Sequence, residues 1–207
     1  MRTYEERFVK KESFLKIPND AFVNKDIIRK SVLHCYSTID SIDENLRLNG
    51  APSLSELIER ANLSSFIGNI LGTGYEKNSD GIYMRNKPNS FPDLIPCNKN
   101  YTGIEIKTAY NRNCPKGHLP KEGYYLIYRY DLTDENGQKN TGEESNWKTV
   151  TIWEIRFGFV STDGFCFSNT KKDSGKTASI NISSLNKLPV LYFDPYISPY
   201  QKTREIY

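Results

Sequence analysis

The chain has 207 residues, 37% of them hydrophobic, with a net charge of +3 and a mean hydropathy of −0.62. That length supports one domain, residues 1–207, with a substantial core. No apolar run approaches ~18 residues, which argues against a membrane span, and the N-terminus MRTYEERFVKKESF lacks the apolar core of a signal peptide.

The four cysteines, Cys35, Cys97, Cys114 and Cys166, form no CxxC pair, and His34 and His118 stand far apart, so a zinc finger is poorly supported. A cytoplasmic, reduced protein is the simplest reading. Tyrosine outnumbers the other aromatics, with 14 against 10 phenylalanines and 2 tryptophans, and it suits half-wet surfaces such as nucleic-acid grooves.

In chain order, Tyr4 and Phe8 are spaced as helical neighbours in a short N-terminal helix or arm. Pro18 breaks it, and Asp20 is placed to cap the next helix. Residues 21–48 carry apolar side chains at helical spacing from Phe22 to Ile39, with His34 and Cys35 read as packing residues. Ser53 precedes Glu56 by three, a capping-box pattern. The helix after it carries Leu57, Ile58, Ala61, Ile67 and Leu71, with Gly72-Thr73-Gly74 predicted to end it.

Ile82–Met84 reads as a strand leading into FPDLIPCNKNYTGIEIK, residues 91–107. Leu94-Ile95 and Ile104–Ile106 read as two strands joined by a polar turn. Side chains two apart share a strand face, so Glu105 and Lys107 point one way and Ile104 and Ile106 point into the core. Asp93 arrives from the neighbouring strand. Two carboxylates and a backbone carbonyl make a hard-oxygen site suited to Mg²⁺. A lysine beside them can hold a water or stabilise charge on a phosphate.

Beyond Lys107 the loop NRNCPKGHLPKEG carries Arg112, Lys116, His118 and Lys121. Residues 124–132 read as a central strand, apolar on both faces. Further strands are predicted over 148–160 and 165–167. The loop SNTKKDSGKTAS carries Lys171, Lys172 and Lys176. Its Gly175-Lys176-Thr177 lacks the upstream glycine of a nucleotide-binding loop, but lysines and hydroxyls suit DNA phosphates. Pro189 limits any strand near 190 to an edge. From Arg85 to Lys121 seven Lys/Arg face two acids, a net of +5, whereas residues 131–147 net −4. That is how a phosphate-binding cleft would be written.

The set Pro92, Asp93, Glu105 and Lys107, with apolar Ile106 between the last two, resembles the PD-(D/E)xK nuclease superfamily, most closely its type II restriction endonucleases. The resemblance covers roughly 20 residues. It implies an α/β fold with a mixed central sheet flanked by helices, the restriction-endonuclease-like core. It implies a Mg²⁺-dependent endonuclease cutting double-stranded DNA at a short sequence. Asp93, Glu105 and the Ile106 carbonyl would hold the metal, and Lys107 would orient or activate the attacking water. The resemblance also implies an acid from an upstream helix, for which Glu59 and Glu56 are the candidates, and a homodimer. Arg112, Lys116, His118, Lys121, Lys171, Lys172 and Lys176 would contact DNA. The alternatives are a repair or recombination nuclease on the same core, a non-catalytic DNA-binding protein, and a protein-interaction module built on the tyrosine-rich strands.

Overall fold

The computed structural model describes residues 2–117, 119–139, 147–168 and 177–200. After a 3₁₀ turn at Glu6–Phe8 and the short helix α1 (Lys11–Phe14), the helix α2 runs over Lys25–Leu48. Its cap is Asn24 rather than Asp20: the Asn24 side chain accepts the Ile27 N–H at 2.9 Å. Such a cap contributes about 1 kcal/mol. Asp20 instead accepts hydrogen bonds from Tyr124 and Thr102. Ile27, Ile28, Val32, Cys35, Tyr36 and Ile39 form the buried stripe of α2.

Ser53 and Glu56 make the expected capping box, at the head of the single-turn helix α3 (Leu54–Leu57). The longer helix α4 (Arg60–Asn78) then continues through Gly72-Thr73-Gly74 instead of ending there. The reason is close packing. A Cβ at Gly74 would stand 3.0 Å from the Ser31 Cα of α2, so the glycine lets two helix backbones approach. Among the described residues, no helix is long and apolar enough to cross a membrane.

The strands β1 (Tyr83–Arg85), β2 (Leu94–Pro96), β3 (Ile104–Tyr110), β5 (Gly123–Thr133), β6 (Thr149–Val160) and β9 (Val190–Phe193) form one sheet in the order β1-β2-β3-β5-β6-β9. β3 and β5 are parallel and every other pairing in it is antiparallel. The fold is therefore α/β, with a mixed central sheet flanked by helices. The long, apolar β5 lies inside the sheet, and β9, just after Pro189, is an edge.

One sheet face, with Ile104, Ile106, Leu126, Tyr128 and Ile155, packs with α2 and α4 into the main core. The other face, with Tyr125 and Ile127, is covered by the helix α5 (Ile182–Lys187) and a second sheet. That sheet is made of β4 (Lys116–Gly117), β8 (Thr177–Ile180) and β7 (Phe165–Ser168), in the order β4-β8-β7. It joins the segment after Lys107 to a distant hairpin, through the pairs Lys116–Ser179 and Gly117–Ala178.

A charged cluster is buried in the second face. Glu154 is fully buried, between Arg129 at 3.0 Å and Arg156 at 2.9 Å. Arg156 also donates to the carbonyls of Leu185 and Leu188 at the end of α5. Arg129 stacks on Trp153 at 4.3 Å. These bonds satisfy charges that would otherwise be costly inside the protein.

Candidate active site

Asp93 closes the loop just before β2, and Glu105 and Lys107 lie on β3. Leu94 pairs with Ile104, so Asp93 stands across from Glu105. The Asp93 N–H donates to Glu105 Oε2 at 3.0 Å, and Asp93 Oδ2 accepts the Ile106 N–H at 2.9 Å. Lys107 Nζ donates to Glu105 Oε1 at 2.5 Å. Four of the residues singled out in the sequence therefore meet at one edge of β3.

The local backbone explains the meeting. A Cβ at Gly103 would lie 2.3 Å from Pro92 Cγ and 3.0 Å from the Leu94 carbonyl oxygen. Only glycine lets the turn before β3 close on Pro92. Asn86, just past β1, holds the other side, its N–H on the Asp93 carbonyl at 2.9 Å and its Nδ2 on the Pro92 carbonyl at 2.8 Å. Asn86 carries no sequence signal beyond that of a loop residue.

Burial raises the Glu105 carboxyl above its ordinary value; Lys107 opposes the shift and the Asp93 charge adds to it. Tyr125 is in register with Glu105 on the adjacent strand. Burial first, then the charges of Glu105 and Asp93, push its phenol up, so it stays a proton donor. Lys107 lies against β4, where a Cβ at Gly117 would stand 3.7 Å from Lys107 Cε.

The donor set fits a hard divalent cation. In a strand, a residue's N–H and C=O project to the same side. The Ile106 N–H faces Asp93, so its carbonyl faces that edge as well. Two carboxylates and one carbonyl thus lie along the same side of β3, and the Asp93 charge acts on Glu105. Among the described residues there is no group of three or more His, Cys, Asp or Glu able to hold a metal. The fit accordingly rests on two acids, a carbonyl and groups from outside the protein.

Glu59 is not brought to this pair. It is the exposed N-cap residue of α4, and α4 packs on the opposite face, where Thr108 donates to the Ser64 carbonyl at 2.6 Å. Glu56 pairs with Lys148 instead. Lys116 is exposed on β4, beside Gly117. Lys121 lies over the ring of Phe91, next to Pro92. Arg112 is engaged elsewhere, donating to the Pro199 carbonyl at 2.6 Å and stacking on Tyr200. His118, Lys171, Lys172 and Lys176 lie outside the described residues. A groove of about 370 Å³ lined by Lys16, Tyr124, Phe159 and Lys187 includes none of the three candidate catalytic side chains.

Compared with protein-family models, curated proteins and solved structures, the chain gives no match.

Proposed function

We propose that the chain is a divalent-metal-dependent endodeoxyribonuclease of the PD-(D/E)xK type, acting on double-stranded DNA as a restriction endonuclease does. The observation that carries this reading is the bonding of Asp93 to β3, its N–H to the Glu105 carboxylate and its carboxylate to the Ile106 N–H, with Lys107 on Glu105. Asp93, Glu105 and the Ile106 carbonyl would hold Mg²⁺, which when bound supplies positive charge to offset that of a scissile phosphate. Lys107 holds the attacking water. The water oxygen bonds to phosphorus in line as the opposite ester P–O bond breaks, and the leaving oxygen takes up a proton. Lys116, next to the Gly117 that lies against Lys107, and Lys121, over Phe91, would add positive charge beside the site. Cutting both strands calls for two copies, and a two-fold homodimer matches a palindromic site.

The test is incubation of a mixed-sequence plasmid with Mg²⁺, beside Asp93→Ala, Lys107→Ala and an EDTA control. Discrete fragments, lost in both variants and in EDTA, support a sequence-specific nuclease. Nicking or a smear with the same dependence moves the reading to a repair or recombination nuclease. An intact plasmid that is bound in a salt-sensitive way indicates a non-catalytic DNA-binding protein. An intact plasmid with no binding overturns the nucleic-acid reading.

A further inference from the structure

Phe91 stands just before Pro92-Asp93. Its ring lies 6.4 Å from that of Tyr125, and the Lys121 ammonium sits 5.0 Å from its centre. Gly123 leaves room for this, since a Cβ there would stand 3.2 Å from Phe91 Cζ. The Tyr125 hydroxyl donates to the Lys121 carbonyl at 2.5 Å. Lys121 is thus tied twice. Its backbone is held by a buried tyrosine in register with Glu105, and its ammonium by a ring adjoining the Asp93 turn.

Among the described residues, no carboxylate pairs with Lys121. A lysine held by an aromatic face keeps its full charge for an incoming anion. A compact ammonium of this kind is a point-charge phosphate binder. The ring and the hydroxyl restrict a flexible side chain before any ligand arrives, which lowers the entropy cost of binding.

We propose that Lys121 holds a nucleic-acid phosphate neighbouring the one that Asp93 and Glu105 address, with Phe91 and Tyr125 as the positioning residues that fix it there. This rests on the nuclease reading above. The substrate is therefore gripped from a strand-end loop as well as at the strand edge, and the grip needs no metal.

The test measures binding of a labelled mixed-sequence duplex in EDTA over a series of KCl concentrations. Each phosphate contact contributes about 0.9 to the slope of log affinity on log salt. Lys121→Ala should lower the magnitude of that slope by about one contact, and Lys121→Arg should restore it. Phe91→Leu and Tyr125→Phe keep the charge, so the slope should stay while Kd rises roughly threefold to tenfold. A purely structural role for these two would lower Tm and leave the Kd of the folded protein unchanged, which would overturn their part. An unchanged slope in Lys121→Ala, with wild type binding normally, overturns the proposal and leaves the nuclease reading standing. No binding by wild type in EDTA at the lowest salt overturns the metal-free grip, and the nuclease reading falls with it only where the Mg²⁺ plasmid assay shows neither cutting nor binding.

Discussion

Asp93 is tied to β3 at two neighbouring residues, Glu105 and Ile106. The Asp93 N–H donates to the Glu105 carboxylate, and the Asp93 carboxylate accepts from Ile106, the next residue along. The like charges are thereby pinned together although they repel. Binding sites often keep such strain at some cost in stability.

Asp93→Asn retains an oxygen acceptor for the Ile106 N–H and removes one of the two charges. It should fold at least as stably as wild type by thermal denaturation. Mg²⁺-dependent cleavage should fall on the order of a hundredfold or more. A large loss of stability, with cleavage retained, would refute this account.

Lys107→Met leaves the buried Glu105 without its cation. Stability near neutral pH should fall by about 1–2 kcal/mol in urea titrations, discounted because Lys107 is partly exposed. Cleavage should be lost as well. Lys107→Arg should recover the stability better than the activity, because its forked guanidinium does not replace a compact ammonium.

Glu105 takes up its proton more readily in the folded than in the unfolded chain. Its protonation therefore favours folding. That contribution is fully present below the ordinary Glu value of 4.5 and is lost as pH rises through the higher folded value. Glu105→Gln should gain stability relative to wild type at neutral pH, and the gain should vanish in acid. Comparing denaturation midpoints of the two proteins across pH reads this directly.

Glu154 bonds both buried guanidiniums, those of Arg129 and Arg156. Glu154→Ala removes the carboxylate that the two guanidiniums share and should cost about 3–5 kcal/mol. Soluble yield and urea midpoint report it. A near-neutral result would show that water reaches this cluster.

Gly103→Ala places a methyl against Pro92 and the Leu94 carbonyl. The Pro92-Asp93 turn must shift, so stability should drop by about 1–3 kcal/mol. Cleavage should drop further than that loss of folded protein explains, since small displacements at a reacting centre cost rate steeply.

The hairpin carrying Asp93, Glu105 and Lys107 was legible because its signals are local. Alternation on β3, the Gly103 turn and the Pro92-Asp93 step all fall within one short stretch. The second sheet was not legible. β4 is only two residues long, and its partner β8 lies about sixty positions away, so no local pattern announces the pairing. Gly72 and Gly74 looked like a helix end because the sequence does not reveal that α2 passes close by. Arg129, Glu154 and Arg156 read as ordinary strand residues, and their mutual neutralisation exists only once β5 and β6 are in register. Arg112 looked equivalent to Lys116 and Lys121. Its partners, Pro199 and Tyr200, come from the far end of the chain.

β3 is a boundary one residue thick. Its even-numbered side chains from Ile104 to Thr108 face α4 and the main core, while Glu105 and Lys107 face the charged edge. A scan of every substitution from 104 to 108 should therefore yield two interleaved records. Even positions should report on whether the chain folds, odd positions on whether the folded chain works, and the trace should switch with each step along the strand.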